Sequence, residues 1–340
     1  MKKIITLCFL LLGWLNSAFG QATFNIDGFS KQYYGKVYYA DTSALTTAGW
    51  VEVYDRTTKK KLIHVDADDL SFDLHDGKIK ANIAEFPYGE YSVLLYEDSN
   101  FDGRKDFAIM DGNNGCYNGP SFQIFLATNK GFVYNADFTE LAQGNCGLFT
   151  INKKDKTLTT MIKDGCCWHQ YSDYSVVNNR PKLIRTQTDD SSKSPIYTLT
   201  IEEWTGKKPI KKIFKGINLE NELVKDYFMF HVDKVNKDVI LYNLDDCLLY
   251  YAVLDAEKSV EFYYPADRLQ EDSKFKYDKK NGKLTFSNKD AKYSIYDKSG
   301  TVGIDITYKG KTYQWKGNPK SQHGSMVKLL KTKLGNVAYQ

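Results

Sequence analysis

Residues 274–286 read KFKYDKKNGKLTF and contain two short β-type runs on either side of Asn281-Gly282. Asn-Gly between two such runs is a strong signal for a type I′ hairpin. Similar runs recur along the chain, separated by turns rich in Asp, Asn, Lys and Gly. The chain has 25 Tyr and 19 Phe but 7 Pro, and short helices are expected only near Asp137–Gln143 and Ser325–Lys331. The pattern predicts an all-β protein of two β-rich domains, built as sandwich or barrel-like meanders with few short helices.

The first 20 residues have the features of a secretory signal peptide. Lys2 and Lys3 are positive, Ile4–Leu15 is apolar, and Ala18-Phe19-Gly20 is a small-x-small cleavage site. Cys8 lies inside the apolar run and not at the cleavage point, which argues against a lipoprotein anchor. The run is short for a membrane span of about 20 residues. We expect a cleaved, exported protein of the periplasm or extracellular space, without a membrane span.

A polar stretch, TQTDDSSKS at residues 186–194, is followed by Pro195 and has no apolar residue. It predicts a linker at 186–196 between two domains of ordinary size. The expected organisation is therefore a signal peptide at 1–20, a β domain at 21–185, and a second β-rich domain at 197–340 whose role the sequence does not define.

The charge is close to balanced, because removing Lys2 and Lys3 takes the net charge from +4 to +2. Lysines nevertheless cluster at 207–215, and seven of them follow Asp305 without any acidic residue. Such clusters can bind anionic partners. More often, however, the lysines lie on solvent-exposed faces of strands or protect sheet edges from pairing with other chains. An exported, nearly neutral chain without a known nucleic-acid-recognition motif is not expected to bind nucleic acid.

The run DSNFDGRKD, residues 98–106, alternates oxygen-bearing side chains and places a glycine at its sixth position. This spacing is typical of a short loop around Ca²⁺, which takes six to eight oxygen ligands. The predicted side-chain ligands are Asp98, Asn100, Asp102 and Asp106, and Arg104 would contribute its main-chain carbonyl oxygen. The alternative is an Asx-rich turn without an ion. If calcium binds, EGTA should lower the melting temperature.

The loop differs from a helix-loop-helix EF-hand at its twelfth position, where a bidentate glutamate is expected and Ile109 stands instead. β-type runs flank it on both sides. A calcium ion would therefore need ligands from elsewhere, and Glu97 and Asp111 are the nearest acidic residues. The sequence predicts a structural calcium on a β scaffold.

Five cysteines remain after removal of Cys8, and export makes disulfides the expected state. Adjacent cysteines rarely bridge each other, so we expect Cys116 and Cys146 each to pair with one of Cys166 and Cys167. Cys247 is then an odd thiol, expected to be buried. A zinc site at Cys166-Cys167-Trp168-His169 is the alternative, but no C-x-x-C pair supports it.

Two segments, NFDGRKDFAIMDGNNGCYNGPSFQIFLA and CGLFTINKKDKTLTTMIKDGCCWH, resemble a bacterial exported family with a D-x-N-x-D-G-x-x-D loop and a GGPSY-type strand. That family is similar in fold to the periplasmic inhibitors of invertebrate-type lysozyme and includes a calcium-binding inhibitor. The resemblance covers roughly residues 50–185. The C-terminal stretch only vaguely resembles the small β-barrel inhibitors of c-type lysozyme.

The resemblance implies a recognition loop of the form S-G-x-x-Y, which falls on Asn118, Gly119, Pro120, Ser121 and Phe122. Asn118 stands where that motif has Ser, and Phe122 where it has Tyr, so both hydroxyl groups are missing. Independently of the resemblance, the Gly/Asn-rich residues 111–122 indicate an exposed loop, and loops on a rigid scaffold often carry binding residues.

No catalytic motif is present, since the five histidines lie outside H-E-x-x-H and the chain has no G-x-S-x-G. The sequence therefore predicts a non-enzymatic, exported, calcium-binding protein whose partner is a protein such as a lysozyme-like cell-wall hydrolase. A glycan-binding or cell-surface module with a structural calcium is the alternative. A hydrolase with unrecognised catalytic carboxylates is a third possibility.

Overall fold

A computed structural model describes residues 20–71, 74, 77–206, 208–266 and 274–340. Strands make up 56% of the structure and helices 6%, which confirms the all-β prediction. The chain forms two compact units: the first comprises residues up to Ile162 together with Tyr171–Ile184, and the second comprises Lys163–Gln170 and Arg185–Gln340. The predicted signal peptide, apart from Gly20, lies outside the described residues. Among the described residues, no helix is long and apolar enough to cross a bilayer.

The first unit begins with an antiparallel sheet of four strands in sequential order. These strands are β1 (Ala22–Ile26), β2 (Tyr33–Tyr39), β3 (Thr46–Asp55) and β4 (Lys61–Ser71). Val37, Val51 and Val65 lie on the inner face of this sheet and are buried, because alternate residues of a strand point to the same side. Their neighbours along each strand lie on the outer face, which is at least partly exposed except at the buried Glu52.

A second four-stranded meander packs against that inner face in one hydrophobic core. It contains β5 (Leu94–Glu97), β6 (Asp106–Gly112), β7 (Ser121–Thr128) and β8 (Gly131–Tyr134). Every residue of β6 is buried, as expected of a strand covered on both faces. The turn between β5 and β6 is the 98–106 loop, and the connection between β6 and β7 is the Gly/Asn-rich loop. Both loops are therefore anchored on one rigid strand.

Helix α1 (Ala136–Gln143) covers the second meander and confirms the predicted helix near Asp137–Gln143. Asn135 caps it, accepting the main-chain N–H of Phe138 at 3.1 Å. Phe138 and Leu141 enter the core. After the helix, β9 (Thr150–Asn152) and β10 (Thr157–Asp164) form a hairpin.

The next four strands follow the β9–β10 hairpin, and the first two of them contain boundaries between the two units. They are β11 (Trp168–Val177), β12 (Arg180–Asp190), β13 (Ile196–Glu203) and β14 (Ile210–Ile217). The unit boundaries fall within β10, β11 and β12. The segment expected to be a linker, 186–196, instead completes β12, turns at 191–195 and begins β13, with Asp190 opposite Thr198. Its polar residues form a strand by pairing with β13, and residues 187–190 remain partly exposed on both strand faces.

The rest of the second unit contains two sheets around its own core. The first has four strands in sequential order: β15 (Val224–Val232), β16 (Lys237–Leu244), β17 (Leu248–Leu254) and β18 (Val260–Tyr264). The second has the order β23-β22-β21-β20-β19-β24. Its strands are β19 (Phe275–Asp278), β20 (Lys283–Asn288), β21 (Ala291–Lys298), β22 (Thr301–Tyr308), β23 (Lys311–Lys316) and β24 (Val337–Tyr339).

The Asn281-Gly282 hairpin is present, but its turn differs from the type I′ prediction. Asp278 pairs with Lys283, so the connection has four residues, and Asp278 accepts the main-chain N–H of Asn281 at 3.0 Å. The capping carboxylate favours this longer turn. Helix α2 (Met326–Leu329) confirms the helix expected within Ser325–Lys331.

Candidate functional site

The 98–106 loop is wrapped around its own polar side chains. The Asp98 carboxylate accepts the main-chain N–H of Asp102 at 3.2 Å and that of Gly103 at 2.9 Å. Asn100 Oδ1 also accepts the Asp102 N–H, and Asp102 Oδ1 accepts the Arg104 N–H at 2.8 Å. Gly103 has φ +88°, a left-handed conformation that glycine adopts without strain. The sixth-position glycine thus turns the chain as the sequence predicts.

Asp106, the first residue of β6, is buried and ties the loop to the sheet. Its two carboxylate oxygens accept the main-chain N–H groups of Ser99 and Ala127, each at 2.8 Å. Burial, with smaller contributions from the Asp102 and Asp98 carboxylates, raises the pKa of Asp106 to about 6 despite these two donors. Because burial is the main cause, a cation next to this carboxylate would stabilise its ionised form.

The donor chemistry of the loop fits a hard cation, since its side chains and main chain offer only oxygen ligands. Within the described ranges, no three His, Cys, Asp or Glu side chains are arranged to hold a metal ion. A calcium shell here would thus depend on the amide oxygen of Asn100 and the carbonyl of Arg104 as well as on carboxylates. The Arg104 guanidinium lies 2.6 Å from Asp102 Oδ2 and would have to share that carboxylate with the ion.

The two acidic residues considered as extra ligands are engaged elsewhere. Glu97 forms an ion pair with Lys153 at 2.7 Å. Asp111 Oδ1 accepts a hydrogen bond from Ser121 Oγ at 2.6 Å, and its other oxygen accepts one from Gln143. Asp111 therefore fixes the start of β7 and the end of α1, and Glu97 or Asp111 would have to share its carboxylate between these contacts and a calcium ion.

The connection from β6 to β7 is pinned at its middle. Cys116 forms a disulfide with Cys146, and the Cys116 N–H donates to Asn145 O at 3.1 Å. Tyr117 and Asn118 have positive φ values of 54° and 59° and project from a short 3-10 turn. Tyr117 is 62% exposed, which makes it the most prominent apolar group of this loop. The sequence signal that could have pointed to Tyr117 was its residue type, because it is an aromatic residue in a loop rich in Gly and Asn.

Of the five residues predicted to bind a partner, three are in the interior. Pro120, Ser121 and Phe122 are buried, and Phe122 belongs to the core of the first unit. Asn118 is exposed and Gly119 is half-buried. The buried three are covered because β7 begins at Ser121 and directs Phe122 inward. The accessible tip of this loop is instead Asn114, Tyr117 and Asn118, which we call the loop tip.

All four cysteines predicted to form disulfides do so, but the predicted pairing is wrong. Cys166 and Cys167 bridge each other in the turn between β10 and β11, while Cys116 pairs with Cys146, with their Cα atoms 4.6 Å apart. The main-chain contact to Asn145 brings the second pair together. Because Cys166 and Cys167 are bonded to each other, neither has a free thiolate that could bind zinc. Cys247 is exposed and not buried, because it follows Asp245 and Asp246 in a surface turn.

No family model matches the chain, and no curated protein matches it. Among solved structures, a Xanthomonas type IV secretion system related protein is 21% identical with a TM-score of 0.44, covering 58% of this chain and 94% of its own. A prolyl endopeptidase is 9% identical with a TM-score of 0.27, covering 88% and 43%. TolB from Acinetobacter baumannii is 8% identical with a TM-score of 0.18, covering 81% and 77%. None of these similarities assigns the chain to a family.

Proposed function

We propose that this is an exported, calcium-binding, non-enzymatic protein that binds a macromolecular partner through its first unit. Its most concrete form is an inhibitor or immunity-type protein that blocks a lysozyme-like cell-wall hydrolase. Calcium binding is supported by the conformation of the 98–106 loop. There Asp98 accepts two main-chain N–H groups next to Gly103, which has a left-handed conformation. The resemblance over residues 50–185 supports the partner class, and the disulfides fit an oxidising compartment.

The loop tip supports a binding role because it is exposed and held in place. The Cys116–Cys146 bridge pins one side, and the contacts of Asp111 with Ser121 and Gln143 pin the other. A preorganised loop loses little entropy on binding, and exposed tyrosines often contribute a large share of interface energy. Tyr117 would occupy the role that the missing hydroxyl residues of the S-G-x-x-Y motif have in the resembling family.

Two histidines of the second unit contact neighbouring side chains. His231 Nδ1 lies 2.7 Å from the buried Asp238, within the second unit. The ring of His323 stacks on Tyr227 with centroids 4.4 Å apart. His75 lies outside the described residues.

The proposal is tested by measuring lysis of a peptidoglycan suspension by several lysozyme-like hydrolases, with and without calcium. We expect inhibition at stoichiometric protein, weakened about tenfold or more by Tyr117→Ala, as for an interface hot spot. Tyr134→Ala is the matched control, since Tyr134 is 49% exposed on β8. Retention on the glycan without inhibition would favour the glycan-binding module, and release of reducing sugar by the protein alone would favour a hydrolase. Equal inhibition by the two variants would contradict the assignment of the loop tip.

A further inference from the structure

A small cavity lies in the first unit between the β5–β6 hairpin and residues 148–153. Its volume is about 180 Å³, and most of the side chains that line it are apolar. Leu95, Ala108 and Phe149 form a buried part of this lining. Thr150 and Lys153, which also line it, are exposed and mark its open side. The cavity is therefore apolar inside and accessible to a small molecule from solvent.

A buried hydroxyl group without a partner interrupts the apolar lining. Ser99 lines the cavity and is only 5% exposed, and its hydroxyl group makes no hydrogen bond to any of the described residues. Its main-chain N–H, in contrast, donates to Asp106. A hydroxyl group can donate one hydrogen bond and accept two, and most buried polar groups have a partner. A molecule bound in the cavity can supply the partner that Ser99 lacks.

The Asp106 carboxylate lies next to Ser99 and also lines the cavity. Its Oδ2 accepts the Ser99 N–H and its Oδ1 accepts the Ala127 N–H, each at 2.8 Å. An ionised carboxylate has about four lone-pair positions on its two oxygens, so each oxygen can accept another hydrogen bond. The buried end of the cavity thus presents an acceptor beside a hydroxyl group that can both donate and accept.

The volume and the lining together define a class of ligand. An apolar cavity of about 150 Å³ holds a benzene ring, so this cavity of about 180 Å³ has room for one six-membered aromatic ring with a small substituent. A hydroxyl group on that ring can donate to Asp106 and accept from Ser99. An anionic ligand is disfavoured, because its charge would be buried beside the Asp106 carboxylate without compensation.

We propose that this cavity binds a small phenol, with the ring among the apolar side chains and the hydroxyl group between Ser99 and Asp106. The inference goes beyond the macromolecular binding put forward above, since no described residue that lines the cavity belongs to the loop tip. Asp106 is also one of the predicted calcium ligands. Binding is therefore measured on EDTA-treated protein, so that the result does not depend on the proposed calcium site.

Titration of the full chain with p-cresol, followed by NMR or calorimetry, tests the proposal. We expect saturable binding of one molecule per chain. Ser99→Ala removes one hydrogen bond to the ligand and should raise the dissociation constant by about 2–10-fold. Ser43→Ala is the matched control, because the exposed Ser43 Oγ also lies beside a carboxylate, that of Asp41 at 2.6 Å. This surface substitution should alter the dissociation constant by less than about twofold.

Two related ligands separate a hydrogen bond to the hydroxyl group from a general change of the cavity. Toluene has the ring of p-cresol without the hydroxyl group, so Ser99→Ala should leave its affinity within about twofold of the wild type. The anion 4-methylbenzoate should bind at least about tenfold more weakly than p-cresol, because Asp106 is buried beside it. N-acetyltyrosinamide carries the same phenol on a peptide backbone. Binding of p-cresol alone assigns the cavity to free phenols, and binding of both extends it to tyrosine side chains.

A variant that fills the cavity tests its location. Ala108→Leu adds three carbon atoms to the buried lining on β6 and should abolish binding of p-cresol, while melting curves establish that the variant is folded. If it does not fold, the comparison of p-cresol with toluene in Ser99→Ala decides the matter. Absence of saturable binding to the wild type at millimolar p-cresol overturns the inference. Equal p-cresol affinities of the wild type and folded Ala108→Leu, or of the wild type and Ser99→Ala, also overturn it.

Discussion

Removing the Cys116–Cys146 disulfide should destabilise the first unit and loosen the loop tip. The two cysteines are 30 residues apart in the sequence. In the chain-entropy model, a closed loop of that length stabilises the folded state by about 3.6 kcal/mol at 25 °C. For a unit of this size, each kcal/mol shifts the melting temperature by roughly 2–4 °C, so the double variant Cys116→Ser with Cys146→Ser should melt about 7–14 °C lower.

Scanning calorimetry measures this shift, and limited proteolysis reports on the loop, where cleavage within residues 112–120 should accelerate. The chain offers two matched controls. Cys247→Ser changes an exposed free thiol and should leave the melting temperature within about 1 °C, as is usual for surface substitutions. Replacing Cys166 and Cys167 by Ser breaks a bridge between adjacent residues that closes no long loop. If this control costs as much stability as the Cys116–Cys146 variant, loop closure is not the source of the stabilisation.

Two further predictions concern the second unit. Asn336 is fully buried, and its side chain bonds Leu249 N at 2.8 Å and Leu249 O at 2.9 Å. Asn336→Ala leaves two buried main-chain groups unpaired and should cost about 2–6 kcal/mol in urea unfolding, against less than about 1 kcal/mol for the exposed Asn281→Ala. A cost below that of Asn281→Ala would refute this explanation. The second prediction concerns Asp238: burial opposes its ionisation, but hydrogen bonds from Lys258 and His231 outweigh burial and hold its pKa below its ordinary value. Its stabilisation is then present above about pH 4 and lost as the pH falls through the lowered pKa, so the stability gap between wild type and Asp238→Asn should narrow below about pH 4. A gap that stays constant from pH 6 to pH 2 would show that this carboxylate does not contribute.

Features that depend on neighbouring residues could be predicted from the sequence. The hairpins, helix α1 and the turn at Gly103 follow from residue types within a few positions of each other. The burial of Phe122 also had a local signal, because Phe122, Ile124 and Leu126 recur at the spacing of two that marks one face of a strand. The interpretation of Asn118–Phe122 as a recognition loop gave more weight to the resemblance than to that alternation.

Features that depend on distant residues could not be predicted in this way. The partner of Cys116 is set by the end of α1, which brings Asn145 and Cys146 to the β6–β7 connection. The polar segment 186–190 forms a strand because it pairs with β13, a contact that its own composition does not indicate. The contact of Asn179 with Asn100 likewise joins two turns that only the folded sheets bring together.

Calcium binding by the 98–106 loop is the central claim, and calorimetric titration of the EDTA-stripped protein with calcium chloride tests it most directly. We predict one calcium ion per chain for the wild type, with affinity reduced at least about tenfold by Asp98→Asn, which removes a charged ligand. Asp155→Asn, in the exposed turn between β9 and β10, should bind like the wild type. Absence of binding heat from the wild type at millimolar calcium, or equal affinities for the wild type and Asp98→Asn, would contradict the claim.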